Sequence, residues 1–146
     1  MEKSKIIEGK LFVDDRGSVS CVNGFDFKDI KRFYMVENHQ QGFTRAWHGH
    51  RQEKKYVYVV SGSALIAIVP LEDLELCPRN DRVKKEVLSS KIPKIFYIPS
   101  GYANGFMTLE SDTKIMFFST STIEESKNDD IRFPFDQINC WKVMSR

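Results

Sequence analysis

Turn-forming residues divide this chain into short apolar runs. Glycine, proline, asparagine and aspartate recur at these points, because each favours backbone conformations that end a strand or a helix. The turn signals lie at residues 14–17, 23–24, 41–42, 61–62, 78–81 and 99–101. Many short strands at this spacing are typical of a β-sandwich or a β-barrel. The sequence therefore predicts an all-β fold.

The apolar runs between the turns predict strands, since they are too short for typical helices. The predicted strands cover residues 32–38, 55–60, 64–70, 94–98, 105–109 and 114–119. Two further stretches, 71–76 and 124–130, each predict a short surface turn or helix. The charged stretch 79–91 has weak periodicity and predicts an exposed hairpin loop.

Length and charge argue for one ordinary domain, which we place at residues 1–146. The 22 basic and 20 acidic residues are interspersed, so no charged block predicts binding to nucleic acid or to a membrane surface. The chain shows neither a signal peptide nor an apolar run long enough to span a membrane. Its three cysteines, Cys21, Cys77 and Cys140, are too scattered for a disulfide framework or a zinc site. We therefore expect a cytoplasmic protein with reduced thiols.

Two histidines one residue apart, His48 and His50, stand just before the predicted strand 55–60. Residues two apart in an extended chain share a face, so the two imidazoles point the same way. Within the strand, the same alternation places Lys55 and Val57 on one face. A turn between the histidines and the strand would leave the relation between the two faces open. Two imidazoles and an ammonium can therefore meet in one place.

The segment 42–62 resembles the first motif of the cupins, which reads Gly, five residues, His-x-His, three or four residues, Glu, six residues, Gly. The matching residues are Gly42, His48, His50 and Gly62. Lysine occupies the position of the glutamate, and a lysine cannot serve as an anionic metal ligand. The second cupin motif, Pro-x-Gly-x-x-His, resembles residues 99–104, with Asn104 in place of histidine. The resemblance implies a jelly-roll barrel without its metal, so we expect no metal and no cofactor.

Two families of enzymes that rearrange nucleotide-activated 4-keto-6-deoxy sugars resemble different parts of the chain. Segments RAWH at 45–48, KYVYVVSG at 55–62 and IPSGYANGF at 98–106 resemble dTDP-4-dehydrorhamnose 3,5-epimerases. Segment IKRFYMV at 30–36 and the histidine pair are similar to dTDP-sugar 3,4-ketoisomerases. The matches together span roughly residues 12–136. The resemblance implies an isomerase or epimerase of a dTDP-linked sugar, a homodimer and a role in surface-polysaccharide synthesis.

Proton removal beside a ketone needs a general base and a group that stabilises the enolate oxygen. His48 is the predicted base, because imidazole titrates near neutral pH, and Lys55 is the predicted stabiliser. His50 is either a second proton-transfer group or part of the pocket wall. The epimerases return the proton from a tyrosine on a late strand, but residues 115–119 carry phenylalanines there. Tyr34 is the first candidate to replace that tyrosine.

Arg16 and Arg45 are the predicted phosphate contacts, because the planar guanidinium binds phosphate through two parallel hydrogen bonds. Both residues resemble family arginines, and a surface salt bridge is the alternative interpretation of each. Asn104 is a candidate substrate contact or a cap for the turn before it. Two other functions stay open: a non-catalytic cupin that binds a nucleotide sugar or another small ligand, and a metal-dependent cupin oxygenase, against which the missing ligands argue.

Overall fold

The computed structural model describes residues 1–76 and 78–146, so Cys77 lies outside the described residues. The strands are β1 (Lys5–Glu8), β2 (Lys10–Asp14), β3 (Gly17–Cys21), β4 (Arg32–Glu37), β5 (Thr44–His50), β6 (Lys55–Ser61), β7 (Ser63–Pro70), β8 (Lys84–Ser89), β9 (Lys94–Ile98), β10 (Tyr102–Thr108), β11 (Lys114–Ser119) and β12 (Ile131–Arg132). The helices are α1 (Glu72–Glu75) and α2 (Ile123–Lys127). Neither of these helices is long and apolar enough to cross a membrane.

Two five-stranded antiparallel sheets form the body of the molecule. The first has the order β1-β9-β6-β11-β4 and the second has the order β12-β5-β10-β7-β8. Strands β2 and β3 pair only with each other, as a hairpin. The predicted all-β cupin fold is confirmed.

The main core fills the space between the two sheets. Strand β6 alternates buried and half-exposed residues, with Val57 and Val59 facing inward. Strand β7 is buried along nearly its whole length, because the C-terminal segment covers its outer face through Ile138 and Trp141. An alternating strand packs on one side and a continuously apolar strand packs on two, which explains the different patterns of these neighbouring sequences.

Each of the six predicted strands lies on an observed strand, and those at 94–98 and 114–119 match in both bounds. The short helical turns predicted at 71–76 and 124–130 correspond to α1 and α2. The prediction of a loop over 79–91 was wrong in its second half, where β8 pairs with β7. Strand β8 lies at the edge of its sheet and carries three charged residues that mask its pattern, while Leu88 enters the core.

Candidate active site

A cavity of about 340 Å³ opens between the sheets. Strands β4, β5, β6, β10 and β11 line it together with α2 and β12. Six of the predicted site residues lie in its wall: Tyr34, Arg45, His48, His50, Lys55 and Asn104. Arg16 does not, because it sits at the tip of the β2–β3 hairpin, where its guanidinium pairs with Asp14 at 2.6 Å.

Strand β5 presents both histidines to the cavity through its two-residue alternation. Gly49, between them, faces the opposite side, where an added Cβ would lie 2.2 Å from a methyl carbon of Leu71. The pairing of β5 with β10 shifts between Asn104 and Phe106, which indicates a β-bulge. A bulge reverses the alternation locally, and Arg45 therefore faces the same cavity as His48 although the two residues are three positions apart.

The two nitrogens of His50 have different surroundings. Nδ1 lies 3.0 Å from the carboxylate oxygen Oε2 of Glu53 and 3.0 Å from the backbone carbonyl oxygen of Asp129. Both partners are acceptors, so the Nδ1 position carries the proton. Nε2 is buried and has no hydrogen-bond partner within the described part of the chain. The neutral ring therefore offers the lone pair of Nε2, and His50 has the form of a general base.

Burial is the main cause that lowers the pKa of His50, and the Lys55 ammonium lowers that pKa further, against the opposing effect of Glu53 and Asp129. Burial, with Lys55 and Arg132, likewise lowers the pKa of His48 to about 4. Both imidazoles are therefore neutral at pH 7, because a charged imidazolium beside an ammonium in a poorly solvated cavity is unfavourable.

Glu53 is buried, with 2% of its surface exposed, and was missed by the sequence analysis. One carboxylate oxygen accepts hydrogen bonds from Arg32, at 3.1 Å, and from Ser119. The other accepts from Ser126 at 3.0 Å and lies beside His50. A buried carboxylate needs such compensation for its lost solvation. Its place three residues after His50, ahead of an apolar strand, was the only local signal.

Lys55 is 7% exposed and forms no salt bridge with the described carboxylates, so its positive charge is available in the cavity. Its Nζ atom lies 5.9 Å from the ring centre of Tyr34 and 5.8 Å from that of Phe117. Those two rings stack with their centres 5.1 Å apart. The aromatic pair forms one wall beside the ammonium, with the Tyr34 hydroxyl as its polar group.

Positive charge also surrounds the rest of the cavity. Arg45 is exposed and donates to the side-chain oxygen of Asn38 at 2.8 Å. Arg132, the register partner of His48, pairs with Asp130 at 2.8 Å, and Lys127 completes this wall. The sequence analysis did not single out these residues of α2 and β12, because their segment has no strong pattern. The excess of cations suits an anionic ligand.

Asn104 is buried and its side-chain amide donates to the backbone carbonyl of His48 at 3.2 Å. It therefore ties β10 to the histidine strand while it lines the cavity. Among the described residues, no group of three or more His, Cys, Asp or Glu side chains is placed to hold a metal ion.

The profile of a protein family described as dTDP-4-dehydrorhamnose 3,5-epimerase matches residues 1–144. The chain belongs to this family. Membership confirms the predicted isomerase class. A search of curated proteins found no match to this family member.

Solved structures similar to this family member include epimerases and ketoisomerases. A dTDP-4-dehydrorhamnose 3,5-epimerase from Bacillus anthracis has a TM-score of 0.77 and 22% identity over 97% of this chain and 86% of its own. A 3,4-ketoisomerase from Helicobacter canadensis has a TM-score of 0.69 and 20% identity over 97% and 98%. The 3'-monoepimerase ChmJ from Streptomyces bikiniensis has a TM-score of 0.76 and 17% identity over 94% and 74%. At these identities the likeness supports the fold.

Proposed function

We propose that this family member isomerises a dTDP-linked 4-keto-6-deoxy sugar by removing a proton from the carbon beside the keto group. The observation that carries this proposal is the state of His50, whose Nδ1–H is held by two acceptors while Nε2 has no partner in the described part of the chain. A ring held in one tautomer at the wall of a cationic cavity has the properties of a general base. The sequence analysis assigned this role to His48; we now assign it to His50, because no side chain among the described residues forms a hydrogen bond with the ring of His48.

In this mechanism, Nε2 of His50 takes the proton from C3 and becomes an imidazolium, while the electron pair of the C–H bond forms the enolate. The negative charge appears on the C4 oxygen, where the Lys55 ammonium stabilises it. Glu53 stabilises the imidazolium across the ring. Delivery of a proton to the other face of C3 by a separate acid would give an epimer, and delivery of the abstracted proton to C4 would move the carbonyl.

We favour the carbonyl shift because a second neutral imidazole stands beside the first. Moving a ketone from C4 to C3 requires one proton to pass between the two carbons and another to pass from the C3 oxygen to the C4 oxygen. His50 serves the carbons in this scheme, and His48 serves the oxygens. Tyr34 is the alternative acid, since its ring stacks on Phe117 of β11, the strand where the epimerases carry their tyrosine.

The diphosphate of the nucleotide is assigned to the cationic rim of the cavity. Arg45 stands at the exposed end of that rim, and Asn104 contacts the substrate from β10. Guanidinium groups at this position suit a diphosphate, because they bind two oxygens at once. Arg16 does not line this cavity in a single chain. Its predicted phosphate role therefore depends on a second subunit.

A homodimer forms part of the proposal. On β4, Phe33 and Met35 are 67% and 45% exposed, and on the hairpin Phe12 and Val19 are 57% and 63% exposed. Apolar groups exposed in this number favour burial against another protein surface. Light scattering at micromolar concentration tests the dimer, and a monomer would remove Arg16 from the phosphate site.

The cytoplasmic location and the role in surface-polysaccharide synthesis are also proposed, and the free thiols of Cys21 and Cys140 fit a reducing compartment.

The test is to incubate the protein with dTDP-4-keto-6-deoxyglucose in deuterated water and to locate deuterium by NMR. A ketone moved to C3 supports the carbonyl shift. Label at C3 alone, or at C3 and C5, supports epimerisation at one or two centres. Binding of the nucleotide sugar with neither a label nor a moved ketone would contradict the catalytic proposal and support the non-catalytic alternative.

A further inference from the structure

Asp129, in the turn between α2 and β12, contacts both His50 and the loop that follows it, residues 51–54. Its carboxylate accepts hydrogen bonds from three consecutive backbone amides: Arg51 at 2.8 Å, Gln52 at 2.8 Å and Glu53 at 2.9 Å. Its backbone carbonyl oxygen lies 3.0 Å from Nδ1 of His50. One residue therefore contacts the ring and the loop that carries the carboxylate partner of the ring.

The loop 51–54 lies outside the strands, so other hydrogen bonds must hold its backbone. It joins β5, which ends at His50, to β6, which begins at Lys55. Apart from the three hydrogen bonds to Asp129, its backbone is held at Lys54, whose amide donates to the hydroxyl oxygen of Thr120 at 2.9 Å and whose carbonyl oxygen accepts from the amide and the hydroxyl of Thr120 at 3.1 Å and 3.3 Å. Hydrogen bonds to a carboxylate are stronger than those between neutral groups. The carboxylate of Asp129 is therefore the main restraint on the position of the Glu53 backbone.

The charge state of Asp129 agrees with this arrangement. Partial burial raises the pKa of Asp129, but the amides of Glu53, Arg51 and Gln52 outweigh that effect, and the pKa is lowered overall. The side chain is ionised at neutral pH and does not line the cavity, whereas the adjacent Asp130 does. Asp129 cannot touch a bound sugar, so any effect on catalysis must pass through the loop or through His50.

We propose that Asp129 is a positioning residue that holds loop 51–54, and with it Glu53, against the Nδ1 edge of His50. This contact keeps the proton on Nδ1 and leaves Nε2 available to the substrate. The catalytic consequence rests on the proposed function, but the tautomer of His50 does not, and it can be measured without substrate.

The main test compares the wild-type protein with Asp129→Asn. The amide of asparagine has one acceptor oxygen, and its NH₂ group must face at least one backbone N–H, so the loop loosens. We expect NMR of ¹⁵N-labelled histidine at pH 8 to show His50 as the Nδ1–H tautomer in the wild type and as a mixture in the variant. The kcat for C–H exchange should fall about tenfold, corresponding to loss of a hydrogen bond to a charged group, with dTDP affinity unchanged within about twofold.

Asp26→Asn is the matched control. The Asp26 carboxylate also accepts a hydrogen bond from a backbone amide, that of Lys28 at 2.8 Å, and its turn does not line the cavity. This variant should change neither the tautomer nor kcat. An Nε2–H tautomer in the wild type would overturn the proposal whether or not the variant folds. If Asp129→Asn does not fold, Asp129→Ser, which keeps the carbonyl and one hydroxyl acceptor, replaces it.

The positioning role and the proposed function can fail separately. If the wild type is active and the folded Asp129→Asn variant has the same kcat and the same His50 tautomer, the positioning role is removed and the proposed function stands. A wild-type protein that neither exchanges a proton nor moves the ketone removes the proposed function, whereas a tautomer that shifts in Asp129→Asn still supports the role of Asp129.

Discussion

Replacing Glu53 with glutamine puts a donor where the structure requires an acceptor. One carboxylate oxygen accepts from Arg32 and the other lies beside the Nδ1–H of His50. The NH₂ group of Glu53→Gln must therefore face either Arg32 or His50, both of which are donors. In the first case Arg32 loses its anionic partner, and in the second His50 loses the contact that holds its tautomer.

The structure sets the magnitude of both effects. A buried donor left without its partner costs about 1–3 kcal/mol of folding free energy, which for a chain of this length corresponds to a Tm lower by about 3–10 °C. Loss of a charged hydrogen bond to the base, at about 1.5–3 kcal/mol, would lower kcat by roughly 10- to 150-fold. Because Glu53 also raises the pKa of His50, the acid limb of kcat/KM should move to lower pH.

The assay is the rate of deuterium incorporation from solvent and of product formation across pH 5–9, with a thermal melt of each protein. Glu75→Gln is the control, since Glu75 also pairs with an arginine, Arg51 at 2.8 Å, but does not line the cavity. We expect its kcat to match the wild type. If Glu53→Gln exchanges protons at the wild-type rate with an unshifted pH profile, the reasoning about the His50 tautomer is refuted.

Three further predictions follow from the same cavity. Lys55→Met should lower kcat by about 10²- to 10³-fold with dTDP affinity within a few-fold, as measured by exchange and calorimetry; an equal loss of affinity would make Lys55 a binding residue only. Tyr34→Phe should lower kcat at least about tenfold if the hydroxyl is the acid, and unchanged NMR product kinetics would leave the return of the proton to the histidines. The pKa of His48 is about 4 in the folded protein and about 6.5 in the unfolded chain. The unfolded chain therefore binds an extra proton between these values, and Tm should fall as pH drops from 6.5 to 4. His48→Asn should make that fall in Tm smaller.

The sequence brought together three residues of the cavity wall, His48, His50 and Lys55, because the relevant rule is local. Alternation within one strand was sufficient to predict that His48 and His50 share a face, and that Lys55 lies inward with Val57. Tyr34 and Arg32, two positions apart on β4, obey the same alternation, and both line the cavity. These inferences needed only the extended geometry of each strand, and the burial of the residues agrees with it.

The residues that the sequence analysis missed depend on contacts between distant segments. His50 and Asp129 are 79 positions apart, and no periodic pattern connects them. Glu53 is close in sequence but lies in a loop, where its direction is set by Asp129 rather than by a strand. The bulge that turns Arg45 towards the cavity is likewise a property of the pairing between β5 and β10. Strand β8 was missed because an edge strand tolerates charge that obscures the alternation.

Gly49 restricts how this cavity can be redesigned. A methyl group added at Gly49 would collide with Leu71, so β5 packs closely on the side of the strand opposite the two imidazoles. A mutant library intended to change substrate preference should leave this glycine untouched and vary Arg45 and Asn104, whose side chains meet the cavity from either side of it. Alanine at 49 would serve as a sensitive probe of how rigidly the spacing between the two imidazoles must be kept for turnover.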